Sequence, residues 1–119
     1  MRRPEEALHR QVAAELRWRA PDLLWFTVPN QRGTRERWEQ AMFKALGVRA
    51  GVADLVFVLP GGRVAFIELK APRGVSSDAQ RAFMRDCEAL GAPYLICRSM
   101  AEVEGALAAW GVKLRGIAA

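Results

Sequence analysis

Asp54-Leu55-Val56-Phe57-Val58-Leu59-Pro60-Gly61-Gly62-Arg63-Val64-Ala65-Phe66-Ile67-Glu68-Leu69-Lys70 reads as two strands joined by a tight turn. Proline presets φ at the turn and the glycines accept positive φ. Leu55 to Leu59 is apolar without alternation, which predicts a strand covered on both faces and hence a layered α/β domain. With Pro60, Gly61 and Gly62 all in the loop, Leu59 faces Arg63, and counting outward sets Asp54 opposite Glu68. Opposed residues of an antiparallel pair share a face, with Cβ atoms about 4.5–5.5 Å apart. Alternation puts Lys70 on the face of Glu68. A two-residue loop would instead place Asp54 opposite Ile67 or Leu69 and send it to the other face.

Two opposed carboxylates repel, and burying either without compensation costs several kcal/mol. Lys70 offsets part of this. An oxygen-seeking cation such as Mg²⁺ fits better, because it binds one or two carboxylates, keeps several waters and meets substrate phosphate. The Leu69 carbonyl, between the two side chains, is a candidate third protein ligand. The plainer alternative is a solvated Glu-Lys edge pair with Asp54 capping a turn. The three residues together, in a basic chain, favour the metal site.

Working outward, Leu8, Val12 and Leu16 recur at helical spacing and predict an amphipathic helix from Glu5 to about Arg19. Leu23 to Val28 predicts a strand, and a basic loop follows from Gln31 to Arg35. Thr34 is placed to cap a helix with Trp38, Met42, Ala45 and Leu46 on one face, ended by Gly47. After a loop from Ala71 to Ser76, a helix starts at Ser77 with Phe83, Cys87 and Leu90 inward until Gly91. Tyr94 to Cys97 predicts a strand. Ser99 and Glu102 form a capping-box pattern for a last helix with Val103, Leu107 and Trp110 inward, ended by Gly111. The expected order is α, β, α, β, β, α, β, α.

The 119 residues, 51% hydrophobic, predict one domain over residues 1–119 with one core. No apolar run approaches the roughly 20 residues that cross a bilayer, and the N-terminus leads into a helix without a signal sequence. A cytoplasmic protein with no membrane partner is expected. Two cysteines and one histidine cannot supply the four ligands of a structural zinc site. Eighteen Lys and Arg against thirteen Asp and Glu give +5, a balance that favours a polyanionic partner, nucleic acid first. No glycine loop with a lysine supports an NTPase. His9 lies on the polar side of its helix, and no nucleophile elbow accompanies it.

Four pieces of the chain resemble the PD-(D/E)XK nuclease superfamily, and within it the small stand-alone VRR-NUC (virus-type replication-repair) nucleases. They are Val28-Pro29-Asn30, Gly47-Val48-Arg49-Ala50-Gly51-Val52-Ala53-Asp54-Leu55, Ile67-Glu68-Leu69-Lys70 and Ser77-Asp78-Ala79-Gln80, in the family's order and at its spacings. Ala53 stands where the family has proline. The resemblance implies a three-layer, restriction-endonuclease-like αβββαβ core with a mixed central sheet and extra helices. It implies a divalent-metal-dependent DNA endonuclease, similar to dimeric, structure-selective enzymes acting on branched DNA such as four-way junctions.

Carried over to this chain, the resemblance implies that Asp54, Glu68 and the Leu69 carbonyl hold Mg²⁺ or Mn²⁺. Lys70 would orient or deprotonate the attacking water. Glu5, or else Glu6, would be the N-terminal helix carboxylate, with Glu5 preferred because it lies three residues before Leu8. An acid in a first helical turn is also favourable with no site involved. Gln80 would reach the site to position water or phosphate, unless its amide is committed to a capping box with Ser77. Asn30, Arg32, Arg35 and Arg73 would grip phosphates.

The alternative function is a non-catalytic nucleic-acid-binding module with a structural acidic pair. A homodimer is expected for a chain this small acting on a branched substrate. Trp38, Met42, Phe43 and Trp110 supply either its surface or the monomer core.

Overall fold

The computed structural model describes residues 4–29 and 37–116. In chain order they form α1 (Pro4–Arg19), β1 (Leu24–Thr27), α2 (Arg37–Ala45), β2 (Leu55–Val58), β3 (Val64–Leu69), α3 (Asp78–Ala89), β4 (Tyr94–Cys97) and α4 (Met100–Ala109). This is the order expected from periodicity and turn chemistry. The strands make one mixed sheet, β1-β2-β3-β4, antiparallel across β1/β2 and β2/β3 and parallel across β3/β4.

The hairpin has the three-residue loop. Leu55 pairs with Ile67 and Val58 with Val64, and the Leu59 N–H donates to the Arg63 carbonyl at 2.7 Å. Gly61 and Gly62 take φ of 88° and 82°, a conformation costly to any residue with a Cβ. Carried one step outward, the same register sets Asp54 against Glu68.

Helices cover both sheet faces. On one, Val12 and Leu16 of α1 and Val103 and Leu107 of α4 are fully buried against Leu55, Phe57, Ile67 and Leu69. Each such side chain is worth about 1.5–3 kcal/mol, against at most about 0.5 kcal/mol for an exposed helical ion pair such as Glu6–Arg10. Packing therefore holds α1 in place. Arg19, nearly buried, ties its end to α4 by an ion pair to Glu104 at 2.8 Å, and pairs within α1 with Glu15 at 3.1 Å. On the other face, Phe83 of α3 meets Phe66 edge-on at 5.1 Å between ring centroids and Tyr94 at 6.0 Å. Cys87 and Cys97 are buried free thiols that pack as small apolar groups. Burial pushes the Cys97 thiol up to about 11.

Two local expectations change, at Leu90 and at the cap of α4, and two left open between surface and core are decided. The α2 helix buries none of its residues, and Trp38 and Met42 are exposed. Leu90, expected inward, is 86% exposed, because α3 ends at Ala89 and Leu90 is its non-helical C-cap. Trp110 turns inward as expected, partly buried against the core with its ring 6.4 Å from Phe57. At α4, Ser99 Oγ accepts the Glu102 N–H at 3.1 Å, but the Glu102 carboxylate accepts from the Arg98 N–H, one residue before the cap.

Gly51 controls how the loop before β2 meets α3. A Cβ there would stand 2.3 Å from the Ala79 carbonyl carbon and 2.6 Å from the Gln80 nitrogen, and its φ is +81°. Gly61, at φ +88°, has open space around it. Gly61→Ala should therefore cost only the left-handed penalty of about 1–2 kcal/mol. Gly51→Ala should add a steric cost of about 1–3 kcal/mol to that penalty. Denaturant unfolding of both variants checks this; equal losses would mean that the contact with α3 does not matter.

Candidate metal site

Asp54 immediately precedes β2, and its main chain is pinned to β1. Its carbonyl accepts the Val28 N–H at 3.0 Å and the Thr27 hydroxyl at 2.8 Å. This fixes the entry to the strand just after Ala53, which is fully buried. The Asp54 carboxylate turns across to β3, where its Oδ2 accepts the Leu69 N–H at 2.8 Å. Glu68 is 0% exposed and Lys70 3%.

Gln80, 2% exposed, comes from the first turn of α3 and joins the two. Its Nε2 donates to Glu68 Oε2 at 2.8 Å, and its Oε1 accepts from Lys70 Nζ at 2.8 Å. The same Oε1 also accepts the Ser77 N–H at 2.9 Å, while Ser77 Oγ accepts the Gln80 N–H at 3.1 Å. The expected conflict between capping box and site does not arise. An amide oxygen has two lone pairs, so one serves the cap and the other Lys70 while the NH₂ serves Glu68. The cap also fixes which end of the amide faces the carboxylate.

Lys70 Nζ lies 3.5 Å from Glu68 Oε2. Glu68 Oε1 is buried with no hydrogen-bond partner among the described residues. Burial first, and the Asp54 charge second, push the Glu68 carboxyl up to about 8, with Lys70 opposing. A buried oxygen acceptor with nothing to accept from, beside a second carboxylate, suits a hard cation. The residues present therefore fit Mg²⁺ or Mn²⁺, with Asp54 and Glu68 as its carboxylates.

The VRR-NUC domain family matches residues 31–101, a span that contains Asp54, Glu68, Lys70 and Gln80. The chain belongs to the VRR-NUC family. A solved structure described as a VRR_NUC domain protein is similar at 18% identity, covering 92% of this chain and 89% of its own, with a TM-score of 0.69. Another, described as a VRR_NUC domain, is 17% identical over 90% of this chain and 97% of its own, with a TM-score of 0.61. No curated protein matches the chain. The fold is thus the VRR-NUC fold, and membership makes the protein a nuclease-family domain whose implied partner is DNA.

The other residues expected at the VRR-NUC site fall in different places. Glu5 is half-buried in the first turn of α1, whereas Glu6 is exposed and paired with Arg10 at 3.0 Å. Among the described residues no group of three Asp, Glu, His or Cys side chains that could hold a metal forms, so Glu5 does not join Asp54 and Glu68. Helical position fixed its side of α1 but not its reach toward the sheet. Arg73 is exposed in the loop after Lys70. Asn30, Arg32 and Arg35 lie outside the described residues. Tyr94, read from the sequence only as a strand residue, shares the site's sheet face. Burial first, and then the Glu68 charge, hold its phenol above the usual range. Its pairing with Phe66 across the parallel strands is the signal, and it needs the sheet order. Among the described residues no helix is long and apolar enough to cross a membrane.

The raised Glu68 carboxyl sets a pH dependence. Between its ordinary value of 4.5 and about 8, the folded state keeps a proton that the unfolded chain has released. Metal-free stability therefore falls as pH rises through that window. Glu68→Gln removes this loss, so its melting temperature relative to wild type should be higher at pH 9 than at pH 5. Thermal melts in EDTA check it, and a difference independent of pH would contradict the assignment.

Proposed function

We propose that this protein is a divalent-metal-dependent endodeoxyribonuclease that hydrolyses DNA phosphodiester bonds, with one domain over residues 1–119 carrying the chemistry in the cytoplasm. The observation that carries this reading is the buried Glu68 opposite Asp54, with the unpartnered Glu68 Oε1 beside a buried lysine. A binding module has no use for a buried carboxylate oxygen that nothing satisfies. Asp54, Glu68 and the Leu69 carbonyl would hold Mg²⁺ or Mn²⁺. When bound, the ion supplies Lewis-acid polarisation of the phosphate and a more acidic water.

The chain's own groups do the rest. Lys70 is buried at 3%, and Gln80 directs its ammonium at 2.8 Å, so it is preorganised to orient the attacking water and to meet charge growing on the phosphate. Gln80 holds Glu68 Oε2 and so leaves Oε1 as the free oxygen. Arg73, with Asn30, Arg32 and Arg35 of the segment after β1, supplies phosphate contacts that position DNA without reading its sequence.

The substrate we propose is branched DNA such as a four-way junction, cut by a homodimer with one metal site per strand. Apolar surface supports the dimer: Trp38 on α2 is 65% exposed and Leu24 on β1 60%, with Phe26 and Met42 also open.

The test is cleavage of labelled four-way, flap, single-stranded and linear duplex DNA, each with Mg²⁺, Mn²⁺ or EDTA. Asp54→Asn and Glu68→Gln should abolish cutting, with DNA affinity changed less than about threefold because phosphate contacts elsewhere supply it. Either variant cutting near the wild-type rate in Mg²⁺ would remove the metal site from the account. Light scattering should give twice the 13.2 kDa chain mass, and a mass of one chain would defeat the dimer. Mixed dimers with one Asp54→Asn subunit should nick one strand of a junction and fail to resolve it; unchanged paired incision would show that the two cuts do not come from two subunits.

A further inference from the structure

Lys70 and Gln80 meet at 2.8 Å, so the chain from 70 to 80 closes on itself around a segment with no helix or strand, Ala71 to Ser76. That segment begins with the turn Ala71-Pro72-Arg73-Gly74, closed by the Gly74 N–H on the Ala71 carbonyl at 2.9 Å. Proline at the second position suits it. The turn rests on the lysine stem: a Cβ at Gly74 would lie 3.5 Å from Lys70 Cδ.

Arg98, the first residue after β4, grips this turn. Its Nη1 donates to the Ala71 carbonyl at 2.7 Å, to the Gly74 carbonyl at 2.9 Å and, more weakly, to the Pro72 carbonyl at 3.4 Å. Cys97, one residue earlier, accepts the Lys70 N–H at 3.0 Å. The Arg98 N–H is itself held by the Glu102 carboxylate at 2.8 Å. The end of β4 therefore holds both the main chain of Lys70 and the turn that follows it. Main-chain carbonyls already take up Nη1, which sets this guanidinium apart from an arginine free to meet phosphate.

We infer, resting on the nuclease reading above, that Arg98 is a positioning residue whose guanidinium pins the Ala71–Gly74 turn and so keeps Lys70 seated against Gln80. Without it, the turn that rests on the lysine stem would be closed by one hydrogen bond of its own, the Gly74 N–H on the Ala71 carbonyl. Small displacements of a preorganised group are costly to rate and nearly neutral to binding.

The test compares Arg98→Met and Arg98→Lys with Arg63→Met, which removes the same charge at the hairpin turn, the far end of the sheet from Lys70. Amide hydrogen exchange is read across the whole chain, with single-turnover cleavage and DNA affinity measured over a range of salt. Arg98→Met should speed exchange in residues 71–77 and leave α1 and β2 protected. It should slow cleavage roughly 10–100-fold, with DNA affinity and salt dependence matching Arg63→Met. Arg98→Lys, with three donors on its ammonium, should recover to within about tenfold of wild type.

Arg98→Met cutting as fast as Arg63→Met would overturn the inference. So would a weaker, less salt-dependent DNA affinity, which would make Arg98 a phosphate contact, or faster exchange throughout the protein, which would make it a general structural residue. Should the wild-type protein cut no DNA, the nuclease reading fails by itself, and the exchange data alone decide for or against the clamp.

Discussion

Two carboxylates face each other across a hairpin whose loop length leaves them no other choice. Once Leu59 pairs with Arg63, strand parity sends Asp54 and Glu68 to one face, and the sheet and α3 bury Glu68 completely. Such a pair does not stabilise a fold. Removing buried ions in favour of apolar side chains of similar size is often neutral or stabilising by about 1–4 kcal/mol. The surrounding polar groups make sense as responses to it: the Leu69 N–H on Asp54, and the Gln80 amide and Lys70 on Glu68 Oε2. One oxygen is left over, Glu68 Oε1, and on the proposed reading it is the atom that would take a cation.

The two sheet faces divide the labour. One is sealed by α1 and α4 around Phe57, Leu69 and Leu107 and supplies most of the apolar burial. The other carries the site, and there α3 contributes a polar first turn through Gln80 before its aromatic contacts begin at Phe83. Gly51 lets the loop carrying Asp54 lie directly on that turn, so the aspartate and the glutamine are set against each other by backbone packing. Strand β3 presents Glu68, the loop entering β2 presents Asp54, and a capped helix end presents the amide that orders Glu68 and Lys70.

Much of this was legible in the residues. Pro60-Gly61-Gly62 marked the hairpin and, taken as a three-residue loop, paired Asp54 with Glu68, while a two-residue loop stayed open until the strand pairing decided it; Ser77 with Gln80 marked the start of α3. What sequence could not carry were contacts whose partners are main-chain atoms or distant elements. The Gln80 amide looked committed either to the cap or to the site, because a motif does not count lone pairs. Arg98 gave no signal, since carbonyl oxygens leave no trace in residue identity. Leu90 and Trp110 occupy like positions at their helix ends, yet Leu90 is exposed and Trp110 meets Phe57, a difference set by what lies beside each helix. The amphipathic pattern of Trp38 and Met42 was read correctly as a helix, but periodicity cannot say what its apolar face meets.

If the Asp54–Glu68 pair holds a divalent cation, Mn²⁺ makes that ion directly visible. Crystals grown with Mn²⁺ and measured for anomalous scattering should show a single strong peak about 2.1–2.2 Å from Glu68 Oε1 and from an Asp54 oxygen, the distance expected for such an ion on carboxylate. A site with no anomalous peak at millimolar Mn²⁺, and with Glu68 Oε1 turned instead onto a protonated Asp54, would contradict the account.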